Sequence, residues 1–236
     1  MKILVISDVH ANLEALQALP KEFDRLWVLG DLVNYGPDPS AAVRYAREHG
    51  GIVVRGNHDH AVAFGEDPQC SARFRNMAEE TCRYTRSVLN AEELRYLQNL
   101  PVTAKDTIDG GDFLLCHAVP SSPLYEYRKE DSELWAEDPT PSSGVLLVGH
   151  THLPFRRTVA GKTIVNPGSV GQPKHGRAEA CYAVIQDGRI SLEAVPYRVE
   201  DTIGKLRRLP LSASVFDDLA FVLKNGRVPP SSAAGR

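Results

Sequence analysis

Five short apolar runs in this chain each end on residues that can bind a cation, and that feature limits the fold more than any other. Lys2 to Ser7 runs into Asp8 Val9 His10, Leu26 to Leu29 into Gly30 Asp31, and Ile52 to Val54 leads to Gly56 Asn57 His58 Asp59. Phe113 to Cys116 ends on His117, and Val145 to Val148 on Gly149 His150 Thr151 His152. Short β-branched runs bounded by Gly read as buried strands, and open α/β sheets bind ligands at loops beyond their strand C-termini. Gly56 to Asp59 is expected to be such a loop. A single Gly-Asn-His-Asp is ordinary turn composition. Five strand ends offering only oxygen or imidazole donors point instead to a metal site.

From Lys2 to Val54 the order reads strand, helix, strand, helix, strand, which implies a parallel sheet with right-handed crossovers. Asn12 is placed to cap a helix carrying Leu13, Leu16 and Leu19; Ser40 is placed to cap a second, with Val43 and Ala46 inward and Gly50 Gly51 as its stop. Residues 60–100 read as a helical insertion with Phe74, Met77, Cys82 and Val88 on its buried face, and with Asn90 and Glu93 as a capping box. Beyond Pro101, the turn signals Asp109 Gly110 Gly111, Ala160 Gly161 and Asp187 Gly188 separate hairpin strands. Residues 118–143, with Tyr125, Tyr127 and Trp135 among Pro, Ser and acidic residues, read either as a mobile surface loop or as part of a substrate mouth. Over 201–228, Ile203, Leu206, Leu209, Val215, Leu219 and Val222 recur at helical spacing; this appendage packs on the body or on a second copy, and 229–236 read as a disordered tail.

Composition sets outer bounds. With 42% hydrophobic and 24% charged residues a full core is available, and a net charge of −3 argues against a nucleic-acid-coating surface. Cys70, Cys82, Cys116 and Cys181 have no Cys-x-x-Cys spacing and read as reduced thiols. A strand begins at residue 2 with no basic leader before it, and no apolar run approaches the roughly 18 residues of a membrane span. A cytoplasmic protein without a membrane partner is expected.

The donors Asp8, His10, Asp31, Asn57, His117, His150 and His152 number seven, too many for one tetrahedral ion and enough for two ions that share a carboxylate. Two divalent ions about 3.5 to 4 Å apart can hold a hydroxide and clamp a phosphoryl group. The ordered series Asp8-x-His10, Gly30 Asp31, Gly56 to Asp59, His117 and Gly149 to His152, spread over residues 1–198, resembles the calcineurin-like metallophosphoesterase superfamily. Asn166 Pro167 Gly168 Ser169 Val170 Gly171 Gln172 Pro173 is similar to its small bacterial phosphodiesterase-like branch. The resemblance implies an α/β fold over residues 1–200, with two packed mixed sheets flanked by helices in a four-layer sandwich. It implies one metal on Asp8, His10, Asp31 and His152 and another on Asp31, Asn57, His117 and His150, with Asp31 bridging. His58, not a ligand, would serve the leaving oxygen while the bridging hydroxide attacks. Manganese is the first expectation for the ions; Fe, Ni, Co, Zn or Mg also suit such donors.

In protein phosphatases and dinucleoside-tetraphosphate hydrolases of the superfamily, the second motif continues to a phosphate-contacting Arg. Here it continues Leu32 Val33 Asn34 Tyr35 Gly36 Pro37. Asn34 can hydrogen-bond His58 but cannot offset an imidazolium charge, and Tyr35 at the substrate lacks the guanidinium fork. Lys174 or Arg177 could supply the missing charge, with Asn57 and His58 completing the substrate contacts. The expected activity is hydrolysis of a small phosphodiester or phosphomonoester, nucleotides among the candidates. Alternatives are phosphoprotein phosphatase, dinucleoside polyphosphate hydrolase, nuclease and non-enzymatic scaffold.

Overall fold

The computed structural model describes residues 1–138 and 144–230. Strands β1 (Lys2–Ile6), β2 (Arg25–Val28) and β3 (Gly50–Val53) are parallel, joined by α1 (Leu13–Ala18) and α2 (Pro39–His49). The hairpin β9 (Glu179–Gln186) and β10 (Arg189–Pro196) returns antiparallel beside β1, giving the order β10-β9-β1-β2-β3. A second five-stranded sheet has the order β4-β5-β6-β8-β7, from β4 (Thr103–Ile108), β5 (Gly111–Cys116), β6 (Val145–Leu147), β7 (Phe155–Val159) and β8 (Lys162–Asn166). Its centre, β5-β6-β8, is parallel; its edges are the hairpins that the Gly turns announce.

Continuous apolar runs arise because both faces of the central strands are buried. Along β1, Ile3 and Val5 meet Trp27, Phe113, Leu115 and Leu147 between the sheets, while Leu4 and Ile6 face the helices with Leu16, Val43 and Leu97. The outer face of the second sheet is covered by Trp135, from a short 3-10 turn at Glu133–Ala136, packed against Phe155.

Several local expectations shift. Asn57 opens a helix, α3 (Asn57–Phe64), so Gly56 to Asp59 is a helix N-terminus and not a free loop: Gly56 is extended and its N–H donates to Asp59 Oδ2 at 3.0 Å. The second helix starts one residue before Ser40, at Pro39, with Asp38 as its N-cap. Pro suits a first helical turn, and Ser40 Oγ instead donates to Glu93 Oε2 at 3.2 Å. In the insertion, α4 (Arg75–Val88) buries Met77 and Cys82 but leaves Val88 exposed at its last residue; α5 (Ala91–Asn99) carries the Asn90–Glu93 capping box.

The appendage packs on the body. Helices α6 (Val199–Leu206) and α7 (Ala213–Asn225) bury Ile203, Leu206, Val215, Leu219 and Leu223 against Met77 and Tyr35. Residues 139–143 of the 118–143 segment and 231–236 of the tail lie outside the described residues.

Candidate metal centre

All five donor-bearing segments meet at one end of the sandwich, beyond the C-termini of β1, β2, β3, β5 and β6. Asp8, His10 and His152 form one cluster of convergent ligand atoms, and Asp31, His117 and His150 form a second. In the first, His152 Nε2 lies 3.2 Å from Asp8 Oδ1 and His10 Nε2 lies 3.9 Å from it. In the second, His117 Nε2 lies 3.2 Å from Asp31 Oδ2, 3.1 Å from His150 Nδ1 and 3.1 Å from Asn57 Oδ1. Asp31 Oδ2 is also 3.8 Å from His10 Nε2, so one oxygen borders both clusters.

The backbone pays for this convergence in strain. Asp8, His10, Ala11, Asp31, Asn34, Tyr35, His150 and His152 all have φ between 45° and 67°, a left-handed region that costs most residues energy and that clusters at functional sites. Two glycines let the loops close in: a Cβ on Gly56 would strike the Asp31 carboxylate, and one on Gly149 would strike Ser7 and Asp8. The 166–173 segment locks the rim. Ser169 Oγ donates to Asp8 O at 2.7 Å, and Asn166 Nδ2 donates to Gly149 O at 2.7 Å.

Backbone carbonyls hold Nδ1 of three of these rings. His10, His117 and His152 each place Nδ1 on a backbone carbonyl, of Val33 (3.1 Å), Leu29 (2.8 Å) and Gln172 (2.6 Å). A ring that donates from Nδ1 turns its Nε2 lone pair to the centre, the arrangement of metal-ligating histidines. His10 Nε2 and His152 Nε2 then stand 3.2 Å apart, two acceptors facing each other, and buried Asp8 Oδ1 has no hydrogen-bond donor. Such orphaned acceptors fit divalent cations. Electrostatics agree: burial works to raise the Asp8 carboxyl, yet the His152 imidazole holds it well below the usual range. Burial would lower His117, but Asp31 outweighs it and pushes that imidazole up to about 9.

His58 sits beside both clusters without joining either. Its backbone N–H donates to Asp31 Oδ1 at 2.9 Å, and Asn34 Nδ2 lies 3.0 Å from its Nδ1. Burial pulls the imidazole down to about 4, against the pull of Asp31. The Tyr35 ring packs tilted against His10 and His58, with centroids 4.7 Å and 4.6 Å away, forming a wall held from behind by α6 and α7. Lys174 reaches the same cleft, its Nζ 4.7 Å from the Phe74 ring centroid, where burial pulls the ammonium down to about 8. Arg177 does not: it is exposed and pairs with Glu179 at 3.1 Å.

Two groups escape sequence reasoning. Cys70 lines the cleft, its Sγ 3.4 Å from His58 Nε2 and 3.6 Å from Tyr35 Oη, yet no spacing distinguishes it from the other free thiols. Asp59 is a buried hub that accepts from Leu32 N (2.8 Å), Val33 N (3.3 Å) and Gly56 N (3.0 Å), tying the second motif to the third. Its position three residues after Gly56 was an available capping signal. Tyr125 and Tyr127 line the cleft as well, so this part of their segment borders it.

A sequence model of the calcineurin-like phosphoesterase superfamily domain matches residues 1–187. An uncharacterized protein of Methanocaldococcus jannaschii, MJ0912, is 31% identical over 233 residues, covering 88% of this chain and 93% of that protein. The crystal structure of a metallophosphoesterase from Sphaerobacter thermophilus superimposes with a TM-score of 0.80 at 33% identity, over 94% of this chain and 99% of the other. A symmetrical bis(5'-nucleosyl)-tetraphosphatase of Hamiltonella defensa is 42% identical over 72 residues, 27% of this chain and 26% of that enzyme.

Proposed function

This chain belongs to the calcineurin-like phosphoesterase superfamily and is a phosphoric ester hydrolase, and from that premise we propose that it cleaves a small phosphodiester with two divalent ions. Asp8, His10 and His152 would hold one ion, Asn57, His117 and His150 the other, and Asp31 both. Ions bound there supply Lewis acidity toward phosphoryl oxygens and bring the pKa of water toward neutrality. The single observation that carries the reading is the position of Asp31 Oδ2 between two buried ligand clusters.

The chain's own residues do the rest. With Asn34 donating to Nδ1, the ring proton of His58 sits on Nε2, where a neutral imidazole can donate to the leaving oxygen and to the charge that builds on it. Lys174 contributes positive charge across the cleft from Tyr35, which occupies the place of a guanidinium fork. A single ammonium suits a diester, with one negative charge, better than a doubly charged monoester. Manganese as the working ion rests on the mixture of imidazole, carboxylate and amide donors, and the cytoplasm on four free thiols.

Metal analysis of the purified chain, followed by hydrolysis of para-nitrophenyl mono- and diesters with Mn, Ni, Co, Zn and Mg, tests the reading. The diester should be preferred; a chain that takes up no divalent ion refutes it. The local likeness to tetraphosphatases supports a second reading, a dinucleoside polyphosphate as substrate. Faster turnover of that substrate than of either ester would select it.

A further inference from the structure

The short segment that carries the last two imidazoles has two sides. His150 and His152 turn to the ligand clusters, while Thr151 and Leu153 line a neighbouring cavity of about 340 Å³, completed by Tyr127, Phe155 and the loop Lys129 to Asp131. The cleft above the clusters measures only about 150 Å³. Tyr127 borders both spaces: its ring centroid is 5.9 Å from that of His150, and its hydroxyl donates to Thr151 O at 3.5 Å.

The second cavity is built rather than incidental. Trp135 Nε1 donates to Lys129 O at 2.9 Å, and Arg157 Nη1 donates to Glu130 O at 2.6 Å and Ser132 O at 2.8 Å. Buried Arg128 stacks 4.9 Å from the Trp135 ring centroid and pairs with Asp138 at 2.6 Å. The loop backbone is thus fixed before anything binds, which lowers the ordering cost of binding. Two apolar side chains nonetheless stay open to solvent at its rim, Tyr127 at 53% and Leu153 at 41% exposure, over a buried Phe155. Glu130 and Asp131 stand exposed at its lip and make no ion pair among the described residues.

An apolar, partly aromatic wall with carboxylates at one edge matches a flat heterocycle joined to a hydroxylated sugar. The ring covers apolar surface, and sugar hydroxyls donate to carboxylate oxygens. We propose that this cavity holds the nucleoside arm of a phosphodiester whose phosphorus lies over the two ligand clusters, with Tyr127 as the divider between arm and phosphate. The inference rests on the phosphoesterase reading above and specifies which ester arm the protein selects.

The test uses the full chain with manganese and two substrates with the same leaving group, thymidine 5'-(para-nitrophenyl phosphate) and methyl para-nitrophenyl phosphate. In Leu153→Ser and in Asp131→Ala, KM for the nucleoside ester should rise by about tenfold, the lower part of what base stacking contributes, while the methyl ester changes by less than about twofold. Leu153→Trp, which fills the cavity instead of emptying it, should give the same selective loss, and free thymidine should compete in the wild type but not in that variant. Equal changes on both esters, or no competition by thymidine, would overturn the subsite alone. A wild-type chain that binds metal and hydrolyses neither ester overturns the phosphoesterase reading and the subsite with it.

Discussion

Asn34 and His58 lie side by side at 3.0 Å, amide nitrogen to Nδ1, in a buried pocket next to Asp31. The pair sets which ring nitrogen keeps its proton. Turnover of His58→Ala should therefore fall by about a hundredfold or more, the usual contribution of a positioned proton donor, with metal content unchanged by elemental analysis. Asn34→Asp places a carboxylate against the ring, so its pH–rate profile should move to higher pH. An unmoved profile would show that Asn34 does not act through His58.

Asp31 Oδ2 lies within 3.8 Å of one cluster and 3.2 Å of the other. In Asp31→Asn the shared charge is gone, and metal content should drop below about two ions per chain. Asp8 turns Oδ1 to one cluster while Oδ2 accepts from the His150 N–H of the other at 3.1 Å, so Asp8→Asn should weaken the first ion more than the second. Retention of both ions by Asp31→Asn would exclude bridging.

Metal uptake should release protons. In the metal-free chain Asp31 holds His117 up to about 9, so this imidazole is charged at pH 7 and must lose its proton to become a ligand. Affinity should rise as pH climbs from 7 toward 9. For the metal-free fold the sign is opposite: the raised pKa stabilises below the unfolded value of 6.5 and that contribution is lost as pH passes through about 9. Calorimetry in buffers of different ionisation enthalpy reads the released proton directly.

Lys205 anchors the C-terminal helices, with Nζ 2.6 Å from Glu14 Oε1 and 2.7 Å from Asp38 Oδ2; Thr202 Oγ1 adds a bond to Glu14 Oε2 at 2.9 Å. Burial works to raise the Glu14 carboxyl, but Lys205 and Thr202 hold it below its ordinary value. A lowered carboxylate pKa adds stability above the unfolded pKa near 4.5 that disappears as pH falls through the folded one. Lys205→Ala leaves Glu14 buried without its cation and should cost about 1–3 kcal/mol at neutral pH. Denaturant titrations should find the deficit shrinking as pH falls from 4.5 through the lowered folded value, below which Glu14 is protonated in both proteins.

Leu219 of α7 packs in the cluster that backs Tyr35, and the Tyr35 ring packs against His10 and His58. Leu219→Ala should lose about 2–5 kcal/mol from the cavity it leaves. It should also lower kcat at temperatures where the protein remains folded, although Leu219 makes no contact with the cleft. A variant with reduced melting temperature and full kcat would show that the appendage only stabilises.

The residues of the two candidate clusters stand out in the sequence because most of them follow closely on buried apolar strands; Asn57 follows the partly exposed edge strand β3. Ile3 to Ile6 and Leu114 to Cys116 are apolar without interruption, so each following Asp or His stands out. The hairpin glycines and the Asn90–Glu93 capping box were legible for the same local reason. Cys70 was not, since it lies in an irregular segment, and the reading of 118–143 stayed open between loop and mouth because its course depends on tertiary anchors such as Arg128 and Arg157. The end of α4 shows the limit of periodicity: Val88 continues the apolar stripe yet is exposed, and the C-cap Leu89 beside it is the residue that enters the core.

The alternation of His150, Thr151, His152 and Leu153 separates two kinds of selection on one four-residue stretch. His150 and His152 turn to the candidate clusters, whereas Thr151 and Leu153 turn to the neighbouring cavity, and Thr151 Oγ1 also accepts from Asn166 Nδ2 at 3.1 Å. A change at 153 thus reshapes the cavity without reaching either cluster, whereas a change at 151 also loosens the rim that Asn166 holds.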